Sequence, residues 1–363
     1  MIIKDLLNII NKHVPFSSSE SWDNVGLLIG TEESEVEGIL TTLDCTEQVV
    51  DEAIDKHINT IIAHHPLIFK GVKNINDTSY GPIIRKLIKH DINLIALHTN
   101  LDVYAKGVSY MIGDKIGLQN MSILDKQNES YYKVQIFVPD ENLEAMKSVF
   151  DDHDLAKTKE YSNVFFQSQG KGQFKPTDQA QPHIGEANKT EVVYETKLEF
   201  MIDAKDKSLA ETLIYTHHPY EEPVFDFIEM KKDATRGLGI IGELKQPMSV
   251  QSFVELYKQN LNIPAVRFIG DKDSTIKKVA IVGGAGIEYA EIAKSKQADL
   301  FITGDVKHHE ALDAMMDGIN VLDVNHYSEY VMKDGLKLLL EDWTNNSVQV
   351  KASELNTDPY QYM

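Results

Sequence analysis

Cysteine is almost absent: Cys45 stands alone in 363 residues. One cysteine excludes an intrachain disulfide and any cysteine-rich zinc module. It fits a reducing compartment, and a cytoplasmic protein is the expectation. Basic charge is also in deficit, with 36 Lys and Arg against 56 Asp and Glu, a net −20. That argues against nucleic-acid or anionic-membrane binding, both of which favour basic surface. A nucleotide substrate stays admissible, because a bound metal can supply local positive charge. Long apolar runs are missing too. Nothing approaches the roughly 18 residues of a membrane span. The start, Met1 to Leu7, reads as an amphipathic helix and lacks the apolar stretch and cleavage site of a signal peptide.

What remains is an ordinary globular composition, 42% hydrophobic, long enough for two domains or one large core with an insertion. The first third alternates strand and helix. Gly38 to Asp44, Asn59 to Ala63 and Asn93 to Leu97 read as strands, Glu47 to Lys56 and Pro82 to His90 as helices, with Thr46 as an N-cap. The last third repeats this order in strands Lys278 to Val282, Asp299 to Thr303 and Asn320 to Val324. Asp91-Ile92-Asn93-Leu94-Ile95 can be laid over Gly318-Ile319-Asn320-Val321-Leu322, a register that places Asp102 on Glu329. The expectation is an α/β core of two related lobes with mostly parallel sheets, residues 1–126 and 236–363. Residues 127–235 read as an insert of β-α-β-β-α-β order, a ferredoxin-like α+β domain. Within it, Gln167 to Lys189 reads as a long polar loop.

Three apolar strands end in metal-ligating side chains. Ile61-Ile62-Ala63 is followed by His64-His65-Pro66, Leu94 to Leu97 by His98 and then Asp102, and Val321 to Val324 by His326 and Glu329. Imidazole and carboxylate at strand ends suit a divalent metal site. Simpler readings stand beside this one. The adjacent histidines could be satisfied by backbone carbonyls, His326 and Glu329 could be a surface pair, and Asp102 could cap a helix. His98 could be a ligand, but is better read as a partner that orients one. Two ions held by such groups would polarise a substrate oxygen and generate hydroxide near neutral pH, which is hydrolase chemistry. A regulatory or storage site has the same ligands.

Other positions rank lower. Asp305 reads as part of a polar rim, the helical pair His309 and Asp313 could bind metal but reads better as rim or solvated face, and Asp44 reads as a strand-end carboxylate facing the site or capping a helix. Gly283-Gly284-Ala285-Gly286 reads as a tight turn, since it lacks the residues of a phosphate loop. His217 and His218 are expected to be structural or interfacial, and Cys45 a buried filler.

The chain resembles the NIF-three-like proteins, known in bacteria as GTP cyclohydrolase 1 type 2 homologues. The resemblance lies in Ser21 to Leu27, Ala63 to Leu67, His98 to Asp102, Gly304 to His309 and His326 to Glu329. It implies a two-lobed core around a dinuclear metal centre. The implied ligands are His64, His65, Asp102, His326 and Glu329, holding two divalent ions, Zn2+ foremost, with Mn2+ or Fe2+ as alternatives. It implies a toroidal homohexamer, with the insert similar to the CutA and PII-like group through His218 to Pro223. The family name implies opening of the guanine imidazole ring of GTP. No guanine-reading or triphosphate-clamping motif accompanies it here; Lys70, Lys73 and Lys307 are the nearest cations.

Overall fold

The computed structural model describes residues 1–127, 129–158, 160–232 and 235–363. Local chemistry sets where its elements begin. Thr46 Oγ1 accepts from the Val49 amide (3.3 Å) and opens the helix Glu47–Asp55, whose Val49, Val50 and Ala53 face the core. Asp5 reaches back to the Ile2 amide (3.2 Å) and caps Ile3–His13, which buries Ile3, Leu6 and Ile10.

Met1–Gln127 and Thr235–Met363 form one compact unit, and the segment between them a second. The first unit holds two sheets. One runs Gly26–Ile29, Asn93–Ala96, Thr60–Ala63, Ile39–Thr42, Val350–Ala352, parallel except for its first pair. The other runs Arg267–Ile269, Val321–Asp323, Leu300–Gly304, Thr275–Ala285, Gly237–Ser249, Gln119–Lys126. Only the pairings of Leu300–Gly304 with its two neighbours are parallel, so the expectation of mostly parallel sheets holds for the first sheet alone. Two of the antiparallel strands, Gln119–Lys126 and Gly237–Ser249, flank the insert, and the third, Arg267–Ile269, closes the opposite edge. Each half also lends a strand to the other's sheet: Gln119–Lys126 sits in the second and Val350–Ala352 in the first. The halves are therefore interleaved, and one apolar cluster joins Ile39, Ile62 and Ile95 to Val279, Ile281 and Leu322 through Ile10, Phe253, Tyr257 and Leu340.

The sequence correspondence between the halves reappears as shared wiring. Asn93 accepts from the Thr31 amide (3.3 Å) and donates to the Asn59 carbonyl (3.2 Å). Asn320 accepts from the Asp271 amide (2.9 Å) and donates to the Asp299 carbonyl (3.1 Å). Each amide lies under a glycine, Gly30 or Gly270, both at φ 117°, where a side chain would collide with the asparagine oxygen.

The second unit is a four-stranded antiparallel sheet ordered Phe166–Phe174, Glu191–Asp203, Glu129–Pro139, Phe225–Lys232. Its helices are Leu143–Asp152 and Lys207–His217, packed around Val134, Phe150, Phe200 and Ile214. The first part of the expected loop Gln167 to Lys189 is thus an edge strand. Gly172 sits in the ladder because the Glu195 carboxylate fills the place of a β-carbon. His218 is structural, bonded to the Phe137 carbonyl (2.9 Å), and Cys45 is buried.

Candidate metal centre

The site is built where parallel strands end. Thr60–Ala63 delivers His64 and His65. Asn93–Ala96 leads through His98 into the short helix Thr99–Asp102, which presents Asp102. In the other half, Val321–Asp323 is followed by Asn325 at φ 70° and a 3-10 turn, His326–Val331, that carries His326 and Glu329 on one face. Residues 264 positions apart in sequence, His65 and Glu329, meet at 3.2 Å. The five expected side chains come together. His309 and Asp313 lie on the helix His308–Met316 and in none of the metal-competent groups found among the described residues.

Three histidines are oriented in the same way. His64 Nδ1 donates to the Leu97 carbonyl (2.8 Å), His65 Nδ1 to Asp44 Oδ1 (2.7 Å), and His326 Nδ1 to Asp305 Oδ2 (2.7 Å). Each Nε2 is left to point at Glu329. Its Oε2 lies 3.2 Å from His65 Nε2, 3.3 Å from His326 Nε2 and 3.9 Å from His64 Nε2. The His65 and His326 Nε2 atoms are 3.2 Å apart, and His64 Nε2 is 3.6 Å from Asp102 Oδ1. Two ligands about 2.1 Å from a tetrahedral zinc ion are separated by about 3.4 Å. The spacing within His65, His326 and Glu329 therefore suits one ion. His64, Asp102 and Glu329 form a second group sharing Glu329, and His64, His65 and His98 a third. The outer hydrogen bonds fix ring orientation and tautomer, as metal-ligating histidines require.

Electrostatics agree with a site meant for a cation. Glu329 and His64 are buried, with side chains 3% and 1% exposed. Burial drives the His64 pKa down to about 3, so the ring is neutral with a free lone pair. Burial, then the neighbouring Glu329 charge, raises Asp102 well above the usual carboxylate range. Glu329 is held low despite its burial, because His326 and His65 bond to it. His65 rises to about 10: burial opposes the charge, but Asp44 and Glu329 outweigh it. His326 rises to about 9, through its bond to Glu329 first. Positive charge is stabilised at the centre of the cluster, where a divalent ion would replace protons.

Glycines complete the cradle. The expected turn at Gly283 is instead the end of the strand Thr275–Ala285. A β-carbon on Gly283 would lie 2.9 Å from Glu329 Oε1, and one on Gly284 3.0 Å. These residues let the carboxylate lie against the strand. Asp23 carries a role that strand patterning does not reveal. Its buried carboxylate accepts from His98 Nδ1 (2.9 Å), the Thr99 amide (3.1 Å) and Thr99 Oγ1 (2.5 Å). Burial would raise its pKa, but these bonds depress it. Its partners lie 75 residues downstream, so no local pattern marks it. Asp44 faces the site through its bond to His65, and the Thr357 hydroxyl steadies it at 2.6 Å.

The Duf34/NIF3 (NGG1p interacting factor 3) family model matches residues 1–359. The chain is 54% identical over 366 residues to a GTP cyclohydrolase 1 type 2 homolog of Staphylococcus aureus (strain COL), covering all of both chains. It is 55% identical over 365 residues to the homolog of that name from Staphylococcus epidermidis, again over the whole of both. The crystal structure of Staphylococcus aureus protein SA1388 superposes with a TM-score of 0.83 at 51% identity, over 100% of this chain and 99% of that one. A Bacillus cereus protein related to NIF3 superposes with a TM-score of 0.72 at 37% identity, with the same coverage. A match over almost the whole length, with full-length relatives above half identity, assigns the chain to the Duf34/NIF3 family.

Proposed function

We propose that this protein is a dinuclear metal-dependent hydrolase acting on a small, nucleotide-like molecule. The observation that carries this reading is the convergence of three Nδ1-tethered histidines on the single oxygen Glu329 Oε2. In this reading His65 and His326 hold one ion, His64 and Asp102 the other, and Glu329 is shared between them. Mixed imidazole and carboxylate ligands suit Zn2+, with Mn2+ or Fe2+ as alternatives. When bound, such a pair supplies Lewis-acid polarisation of a substrate oxygen and acidification of a water molecule. The chain's own contribution is to fix the ligand rings through Leu97, Asp44 and Asp305 and to leave His65, Asp102 and His326 partly open to solvent. An open side is what separates a catalytic from a structural metal site.

The wider assignment rests on family membership and on the fold. The insert's β-α-β-β-α-β order with a four-stranded antiparallel sheet supports a ferredoxin-like domain of the CutA and PII-like kind, bounded near residues 127 and 235. A toroidal homohexamer in the cytoplasm is the assembly and location we assign. No helix among the described residues is long and apolar enough to cross a membrane. The test is metal-replete protein assayed against GTP and a panel of hydrolase substrates, beside Asp102→Ala. Turnover lost in a folded Asp102→Ala supports the reading. A metal-replete wild type that turns over nothing would instead point to a regulatory or metal-handling scaffold.

A further inference from the structure

Two large aromatic side chains stand exposed beside the metal cluster. Trp22 is 57% exposed and Phe69 42%. Single exposed apolar residues are unremarkable, but a pair brought together by two separate loops asks for a cause. Their ring centroids are 5.8 Å apart with planes at 53°, so neither ring covers the other face to face. Both reach His98: Trp22 at 6.3 Å and Phe69 at 6.4 Å, each edge-on. His98 in turn lies 5.2 Å from the His64 ring and 5.8 Å from the His65 ring. The aromatic pair is one ring away from the metal-competent histidines.

The loops that carry the pair are tied in place. Trp22 precedes Asp23, whose buried carboxylate is fixed by three hydrogen bonds to His98 and Thr99. Asn24 Nδ2 donates to the carbonyl of Ile68, the residue before Phe69. One short segment therefore tethers the chain beside both rings and also orients His98. An exposed aromatic face held this way loses little conformational entropy when a guest covers it. Flat heteroaromatic rings stack on such side chains without sequence-specific hydrogen bonds.

We infer that Trp22 and Phe69 form a stacking platform for a planar heteroaromatic ring, such as a nucleobase, whose reacting part lies over the metal cluster. This deepens the hydrolase proposal and rests on it for the role of the metal. It accounts for the absence of a sequence motif that reads guanine: recognition is through ring faces, and a stacking platform leaves no polar signature.

Intrinsic fluorescence offers a direct test, because the second tryptophan is silent to surface events. Trp343 is 9% exposed and stacked on His13 at 4.6 Å with planes 3° apart. Iodide quenching of the full-length chain therefore reports Trp22. Guanosine is the probe and ribose 5-phosphate the control, each titrated into zinc-loaded and zinc-free protein. Guanosine should quench the iodide-accessible emission and shield it from iodide, and the sugar phosphate should not. By calorimetry, Trp22→Ala should weaken guanosine by roughly ten- to hundredfold, with Phe69→Leu losing less. Zinc uptake by Trp22→Ala should equal that of the wild type. Unchanged guanosine affinity in a zinc-binding Trp22→Ala overturns the platform and leaves the metal centre standing. Wild-type protein that takes up no zinc overturns the metal centre, while guanosine quenching still decides the platform. If Trp22→Ala instead shifts the sedimentation coefficient with guanosine affinity intact, the rings are a subunit contact and the inference fails.

Discussion

Gly283→Ala should remove metal without unfolding the protein, and the size of the effect follows from the cradle. A methyl there would lie 2.9 Å from Glu329 Oε1 and 3.2 Å from Val108 Cγ1, whereas ordinary contact begins near 3.4 Å. The carboxylate must therefore retreat by about 0.5 Å. Metal ligands tolerate about 0.2 Å before coordination suffers, so the carboxylate proposed as the shared ligand would leave its place. Loss of a supporting partner typically costs ten- to a hundredfold in metal affinity, and a displacement of this kind should cost about the same. The backbone at Gly283 has no left-handed strain, so destabilisation should stay within the roughly 1–3 kcal/mol of an overpacked methyl. Gly284→Ala makes the informative contrast. Its φ of +60° adds roughly 1–2 kcal/mol of backbone strain to a similar clash. Zinc titration with a competing chelator, beside urea denaturation, separates the two effects. Zinc affinity unchanged in Gly283→Ala would refute the claim that Glu329 Oε1 is held against this strand as part of a metal site.

Further outcomes follow from the same geometry. Asp305→Ala frees His326 Nδ1 and should weaken zinc by about ten- to a hundredfold, with little change in unfolding free energy, because both side chains of the pair are partly open to solvent. Asn93→Ala and Asn320→Ala remove equivalent clasps in the two halves. Each should cost about 1–3 kcal/mol in urea denaturation, and markedly unequal costs would count against the shared wiring. Chelation of zinc-loaded protein should lower the melting temperature in proportion to how tightly zinc binds, because the ligands come from both halves of the first unit.

The sequence made visible what is local. Thr46 before an apolar-periodic helix, the strand Thr60–Ala63 ending at His64, and the three-residue spacing from His326 to Glu329 all depend on neighbours along the chain. The match of Asn93 to Asn320 was visible for the same reason, since each closes an equivalent strand start. Long-range pairing was hidden. Val350–Ala352 carries no pattern that sends it to the sheet of Ile39–Thr42, and Gln119–Lys126 none that sends it to the other half. Gly283 and Gly284 looked like a turn because glycine permits both a turn and a close approach. Only the position of Glu329 decides between them. Asp23 was legible through the family motif alone, because its bonds to His98 and Thr99 cross between segments distant in sequence.

The central claim is that Glu329 is shared between two ions. Counting zinc per chain by native mass spectrometry tests it most directly, on wild type and on Glu329→Gln, which keeps the side chain's size. The account predicts two ions on the wild type and fewer on the variant. A wild type that never exceeds one ion, or a Glu329→Gln chain that holds two with unchanged affinity, would contradict it.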